Sequence, residues 1–214
     1  MLKVNYNKLI EKTGILRYIP PADYENVIDE LMVVNMRFVN NQVILRQDDR
    51  AEQIAIVVDG EIKAEKIHGS GSDNMPHTYL PGDMFGYEGL VSTTKKYPLD
   101  YISDGDSVVA FIDANSIKNS TYSKEIMQGI IGYMADESIK RLYRIEIISK
   151  KKVRDRIMTY LQIEENESGT YALDISREKM AEELCVNRSA LSNEIGKLHR
   201  EGLISIDKRK LALK

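Results

Sequence analysis

The sequence predicts an α+β chain, and three features along its 214 residues carry that expectation. Between 36 and 113, short β-branched runs alternate with Gly- and Asp-containing turn signals. From 116 to 150 a helical pattern runs without Pro or a turn cluster. After 151, short amphipathic segments follow one another and the chain ends on two β-prone runs. Many short strands with frequent turns imply an antiparallel sandwich or barrel for the first half.

In order, a short helical opening precedes the runs "VILRQ" and "QIAIVVDGEIKAEKI". Asp59-Gly60 interrupts the second run and predicts a two-residue hairpin turn, because both positions tolerate positive φ. Further connections are expected at "HGSGSDN" (68–74) and at Asp104-Gly105, between "YIS" and "DSVVAFID". In the helical stretch Met127, Ile131, Met134, Ser138, Arg141, Ile145 and Ile148 recur at alternating spacings of four and three, a heptad seam with a polar centre. A helix of this length more often pairs with a copy of itself than packs alone, so a homodimer is expected. "VRDRIMTYLQI" then reads as an amphipathic helix, "EENESGT" as a polar loop, and "DISREKMAEEL" as a helix capped by Ser176. "GLISIDKRKLALK" reads as two strands around "DKRK". Helix, helix, three-residue turn, helix and hairpin is the order of a winged helix-turn-helix.

Composition bounds the function. With 43% hydrophobic and 29% charged residues, and no apolar run near the roughly 20 residues a membrane helix requires, no association with a bilayer is expected. The opening "MLKVNYNKLIEKTG" lacks the apolar core of a secretory signal, which places the chain in the cytoplasm. The single cysteine, Cys185, excludes an intrachain disulfide and cannot alone hold zinc or an iron-sulfur cluster; it is expected to be a small buried apolar residue. The net charge of −3 is unevenly shared: 151–214 holds 13 Lys+Arg against 11 Asp+Glu, and 1–150 holds 17 against 22. The basic excess therefore lies at the C-terminus.

The stretch "ELCVNRSALSNEIGKL" breaks its helical pattern for three residues and restarts at once. A turn this short lets one helix cross the other and project its N-terminal half. Met180, Leu184, Val186, Leu191, Ile195 and Leu198 supply a shared core, Ala181 is small where the helices would touch, and Asn187 is placed to cap the second helix. Opposite that core lie Arg188, Ser189, Ser192 and Asn193, with Lys197 and Arg200 further along. Arg can donate two hydrogen bonds to guanine O6 and N7, Asn can pair with adenine, and Ser suits phosphates or base edges. A merely solvated face would more naturally carry Glu, Lys or Gln, since Ser and Asn are poor helix formers. Double-stranded DNA is the expected partner. Ser176, Arg177, Lys179, Lys208, Arg209 and Lys210 are placed to meet phosphates on either side of the groove.

On these residues the whole chain resembles the cyclic-AMP receptor protein and fumarate-nitrate regulator (CRP/FNR) superfamily of bacterial transcription regulators. "LPGDMFGYEGL" looks like part of that family's cyclic-nucleotide-binding-type β-roll, a double-stranded β-helix or jelly-roll; 116–150 resembles its dimerisation helix; and "ISREKMAEELCVNRSALSNEIGKLHREGLI" resembles its DNA-binding signature. The resemblance implies a sensing β-roll at 1–115, a dimer helix at 116–150 and a winged helix-turn-helix at 151–214. It places the base-contacting positions on Arg188, Ser189 and Asn193, makes a palindromic operator the expected site, and adds RNA polymerase to the expected partners.

The chain departs from the cyclic-AMP-binding members at the positions that hold the nucleotide. Where they carry Gly-Glu for the ribose and Arg-Ser for the cyclic phosphate, this sequence reads Gly86-Tyr87 and Tyr97-Pro98; their adenine-contacting hydroxyl positions read Arg141 and Leu142. A missing charge-assisted pair of this kind is worth roughly 1.5 to 3 kcal/mol, so cyclic AMP is not the expected effector. One cysteine excludes cysteine-cluster oxygen sensing, and His68 and His77 read as exposed loop residues and not as haem ligands. The expected effector is an unidentified small molecule in a pocket lined by Gly86, Tyr87, Tyr97, Arg141 and Leu142, with Arg141 facing an anionic group; the alternative is that Tyr87 and Leu142 fill this space. Three histidines without a His-x-His pair, and no nucleophile elbow or phosphate loop, argue against an enzyme, and no cofactor or metal is expected. A ligand-binding module acting through protein partners alone is the other reading, and the Arg188 face separates the two.

Overall fold

The computed structural model describes residues 6–66, 77–168, 173–207 and 210–214, with side chains at 10–66, 77–165, 175–207 and 210–214. It divides into two compact units, Met1–Met134 and Ala135–Lys214. The first contains α1 (Tyr6–Thr13), a single 3-10 turn (Pro21–Asp23), α2 (Tyr24–Glu30), β1 (Val34–Phe38), β2 (Val43–Leu45), β3 (Gln53–Glu65), β4 (His77–Tyr79), β5 (Met84–Phe85), α3 (Tyr87–Val91), β6 (Asp100–Asp113) and α4 (Ala114–Asn119). The long helix α5 (Ser123–Ser149) begins in this unit and ends in the second. The second unit continues with α6 (Val153–Ser168), β7 (Leu173–Asp174), α7 (Arg177–Glu183), α8 (Arg188–Arg200), β8 (Ile204–Asp207) and β9 (Lys210–Leu213). The α+β class, with a β-rich first half, a long helix and a C-terminal helix-turn-helix, is as the sequence predicts.

The first unit is organised by one antiparallel sheet in the order β1-β6-β3-β4, with β2 also on β6 and β5 also on β3. The two longest strands, β3 and β6, pair along almost their full lengths, from Gln53↔Asp113 to Glu65↔Asp100. Ile54, Ile56 and Val58 face a core shared with the helices, whereas Ala55 and Val57 face the interior of the roll. Burial on both faces explains why "QIAIVV" is continuously apolar.

The predicted hairpins at Asp59-Gly60 and Asp104-Gly105 do not form. Both pairs lie inside continuous strands, where the β3–β6 register jumps from Asp59↔Val108 to Glu61↔Asp104. Gly60 takes φ +82°, and a Cβ there would lie 2.5 Å from the carbonyl oxygen of Asp106. The irregularity shifts the pleat by one residue: odd positions 55 and 57 face the roll interior before it, and even positions 62 and 64 after it. On β6 the buried Ser103 hydroxyl donates to the carbonyl of Gly105 (2.7 Å) and lies 2.6 Å from the Ser107 hydroxyl, satisfying polar groups at the irregularity. Asp-Gly supplies positive φ to a bulge as readily as to a turn, and pairing with a partner some 50 residues away decides which. The expected connection at 68–74, with His68, lies outside the described residues, while His77 opens β4 and stacks edge-on against Tyr79 at 4.5 Å, not in a loop.

Two helix boundaries also differ from expectation. The helical pattern from 116 is broken at Ser120, whose ψ of 145° ends α4. The Glu30 carboxylate accepts from the hydroxyls of Ser120 (2.6 Å) and Thr121 (2.7 Å) and from the Thr121 amide (2.8 Å). These hydrogen bonds hold Glu30 below the usual carboxylate range and offer the backbone an alternative to helix. At the other boundary "EENES" continues α6 instead of opening a loop, so the helix reaches Ser168. From α5, Ile126 and Ile130 enter the helix-side core, and the Met84 amide donates to the Tyr133 hydroxyl (3.0 Å).

Gly129 brings α5 against the chain following α1: an added Cβ would lie 2.4 Å from the carbonyl oxygen of Ile15. Gly129→Ala is therefore expected to destabilise the first unit by about 1–3 kcal/mol, through overpacking against backbone that cannot rotate away. Thermal unfolding read by circular dichroism checks this, the expected outcome being a midpoint several degrees lower with the far-UV spectrum retained.

Candidate nucleic-acid interface

The three-residue break at "CVN" is a helix C-cap joined directly to a helix N-cap. The Cys185 amide donates to the Glu182 carbonyl (3.1 Å) and the Val186 amide to the Ala181 carbonyl (3.0 Å), the pair of bonds that closes a Schellman motif. The residue that must turn left-handed is Cys185, at φ 52°. Cys185 is half-buried, not buried as expected, and its distinguishing feature is this backbone conformation. Helix α8 ends in the same motif at Glu201–Leu203, but with Gly202 in the left-handed position at φ 78°. Asn187 then caps α8, its Oδ1 accepting from the Ser189 amide (2.8 Å) and the Ser189 hydroxyl (2.7 Å). Ser176 caps α7 by accepting from the Lys179 amide (3.2 Å).

Arg156, which sequence reasoning missed, locks the turn from behind. Its Nη1 donates to the carbonyls of Leu184 (2.9 Å) and Cys185 (3.1 Å), and its Nε to that of Lys150 (2.8 Å). The carbonyls left open at the end of a helix are satisfied by a side chain from α6, a contact that no local pattern announces. Beneath the turn Met180, Ala181, Leu184, Leu191, Ile195 and Leu198 are all buried, and Val186 is partly so, as the sequence predicts. The wing is a three-stranded sheet, β7-β9-β8; its two-residue strand β7, paired at Leu173↔Leu211, was not anticipated.

On the opposite side of α8, Arg188, Ser189, Ser192, Asn193 and Lys197 are exposed. Arg188 Nε lies 2.9 Å from Glu178 Oε1 of α7. An arginine held through Nε keeps its terminal Nη1–Nη2 pair available for a bidentate acceptor, the geometry of guanine O6 and N7. Lys179 is exposed, whereas Arg177 is half-buried; its Nη1 is enclosed without a hydrogen-bond partner among the described residues, and burial pushes its pKa down. Lys208 and Arg209 lie outside the described residues; the strand residues on either side of them, Asp207 and Lys210, are paired.

The residues expected around an effector are placed as follows. Gly86 sits at the N-terminus of α3 with φ 77°, where a Cβ would meet Leu45 Cδ1 at 2.9 Å and Tyr97 Cε1 at 3.2 Å. Tyr87 is buried in the helix-side core, edge-on to Tyr133 at 5.4 Å. Tyr97 is buried on the roll side, where its hydroxyl donates to the Gln53 carbonyl (2.9 Å) and its ring lies 6.5 Å from that of Tyr101. Tyr101 in turn stacks on Phe85 at 4.9 Å. Tyr87 and Tyr97 thus belong to different cores. Arg141 and Leu142 are exposed on α5.

Residues 35–120 match the model of the cyclic nucleotide-binding domain, and residues 155–214 match that of the Crp-like helix-turn-helix domain. The chain belongs to the CRP/FNR family of transcription regulators. Among curated relatives, it is 24% identical over 204 residues to the transcriptional regulatory protein btr of Bordetella pertussis, covering 90% of this chain and 82% of that one. Among solved structures, FixK2 from Bradyrhizobium japonicum superposes with a TM-score of 0.55 at 19% identity, covering 85% of this chain and 92% of that one. The Thermus thermophilus catabolite activator protein superposes with a TM-score of 0.53 at 13% identity, covering 94% and 93%. At these identities the superpositions establish the fold alone. CRP/FNR members are transcription regulators and not enzymes, and the helix-turn-helix of this one is a DNA-binding domain. Among the described residues no helix is long and apolar enough to cross a membrane.

Cys185 carries a side chain in the left-handed region that glycine adopts freely. A side chain at positive φ costs about 1–2 kcal/mol, partly offset by the greater freedom glycine brings to the unfolded chain. Cys185→Gly is expected to raise the stability of the second unit by about 0.5–1 kcal/mol. Denaturant unfolding checks it through a higher midpoint at unchanged slope.

Proposed function

We propose that this CRP/FNR regulator acts as a homodimer on a palindromic operator, reading bases through Arg188, Ser189, Ser192 and Asn193, under the control of a small-molecule effector other than cyclic AMP. The observation that carries the base-reading assignment is the exposed Arg188, anchored through Nε by Glu178 with its terminal nitrogens left for a base edge. Ser176, Arg177, Lys179, Lys208 and Arg209 act as phosphate contacts, which position the domain without specifying sequence. RNA polymerase is the proposed partner of the DNA-bound form, and the cytoplasm its compartment.

Dimerisation through 116–150 is supported by the exposed apolar residues of α5. Ile131, Ile139, Leu142, Ile145 and Ile148 are all exposed, Leu142 to 63% and Ile145 to 58%. Ile131, Leu142 and Ile145 fall along one seam of the helix together with Ala135 and Ser138, at spacings of four and three. Within the expected seam Met127 and Met134 instead pack partly into the first unit's own core, so these two residues leave the pairing surface. Two recognition helices on a two-fold dimer would meet successive major grooves about 34 Å apart.

The rejection of cyclic AMP is supported by Tyr87 and Tyr97, which replace the family's ribose and phosphate ligands with buried aromatic rings. Of the residues expected around an effector, Tyr87 and Tyr97 are buried in separate cores, and Gly86 lies close against Leu45 and Tyr97. Any effector acts by favouring the dimer geometry that fits DNA, and does so only by binding that geometry more tightly than the other.

Selection of the purified protein on randomised duplexes tests the DNA reading: enrichment of a palindrome with half-sites about one helical turn apart is expected. Arg188→Ala is expected to weaken binding to the selected site by about 1–3 kcal/mol and to relax preference at one position per half-site; unchanged affinity and preference would remove Arg188 from the readout. For the dimer, Ile145→Glu places a carboxylate on the pairing seam, and light scattering is expected to report a monomer where the parent chain gives a dimer.

A further inference from the structure

We propose that a cavity of about 520 Å³ between α3 and the α4–α5 junction binds an organic anion with an apolar body, of the class of medium-chain fatty acids and aromatic carboxylates. The inference rests on the reading that the regulator answers to an effector, and assigns that effector a second site and a chemical class. The cavity lies wholly within the first unit and contains none of the five residues expected around an effector.

The lining divides by chemistry. Leu90, Ile117 and Met127 provide apolar walls, while Arg50, Lys95 and Lys118 bring three cationic groups to the same space, and no acidic residue lines it. The volume falls in the range of small-molecule sites, and an apolar chamber with a few convergent polar groups is their usual construction. Among the described residues Arg50 engages Glu52 through Nε at 3.5 Å, an exposed pair that leaves its terminal nitrogens available. Lys118 is exposed and has no ion pair among the described residues. A carboxylate placed among these groups gains charge-assisted hydrogen bonds, while its hydrocarbon body leaves water against the apolar walls.

Lys95 is held in place for this. It adopts φ 53°, costly for a residue with a side chain, and its loop is pinned by the Ala51 amide donating to the Lys95 carbonyl (2.9 Å). Its ammonium donates to the Leu90 carbonyl (2.7 Å), which uses one of three N–H groups and fixes the charge beside the cavity wall. Gly89 lets the loop approach, since a Cβ there would lie 2.7 Å from both Ala51 Cβ and the Lys96 carbonyl oxygen.

The test uses the full chain with methyl-labelled methionine, titrated with decanoate and 1-naphthoate, and with decanol as the uncharged control. The expected result is saturable binding of at least one acid, a shift of the Met127 methyl signal, and no comparable effect of decanol. Lys118→Ala and Arg50→Ala, both at exposed positions, are each expected to weaken binding about ten- to hundredfold, whereas Lys124→Ala, nearby but outside the lining, leaves it unchanged. Absence of binding by both acids up to about 1 mM, or binding that leaves the Met127 signal and both variants unaffected, overturns the site. Titrating operator DNA in the presence of the bound acid separates this from the broader reading: altered DNA affinity supports effector action at this cavity, and unchanged affinity with a shifted Met127 signal supports the anion site but overturns it as the effector site. Failure of the DNA selection itself counts against the operator reading alone.

Discussion

Wherever this chain changes direction inside packed structure, its backbone donors and acceptors must still find partners, and the architecture is arranged around that requirement. Leaving a buried amide or carbonyl unpaired costs about as much as a hydrogen bond contributes, so bends occur where a left-handed residue lets the bonds re-form one step along. Gly60 does this in β3, Cys185 between α7 and α8, and Gly202 at the end of α8. At the helix-turn-helix the requirement is met three times over: by the two bonds of the Schellman motif, by the Asn187 cap, and by Arg156 reaching the carbonyls of Leu184 and Cys185. The recognition helix is consequently held at a defined angle on α7, which a base-reading face needs if its side chains are to keep their register on DNA.

The same economy governs charge. Glu178 orients Arg188 without burying it, so the guanidinium stays solvated and its terminal donors remain usable. Exposed ion pairs contribute little to stability, and the worth of this one lies in limiting where Arg188 points. In the first unit the exposed Arg50, Lys95 and Lys118 line one partly apolar cavity, whereas Tyr87 and Tyr97 are buried and already engaged with the protein itself.

The DNA-binding half was legible because its determinants are local. Ser176, Asn187, the apolar spacing from Met180 to Leu198, and the polar face of α8 all act within a few residues of one another, and each took the predicted place. The roll was less legible. Asp59-Gly60 and Asp104-Gly105 carry the strongest short-range hairpin signal, yet they lie opposite one another in a ladder that joins residues far apart in sequence. The break at Ser120 depends on Glu30, which lies 90 residues earlier.

The sequence by itself determined the order of a β-rich half, a long helix and a helix-turn-helix, the caps and core of that helix-turn-helix, and the identity of its exposed face, because each is written in neighbouring residues and in the period of the apolar pattern. Tertiary structure alone decided that the Asp-Gly pairs are bulges, that Arg156 closes the turn, that Tyr87 and Tyr97 enter separate cores, and that Arg50, Lys95 and Lys118 surround one cavity. These are contacts between distant residues, and a left-handed glycine or a lysine on a loop has the same local propensity whichever distant partner the fold brings to it.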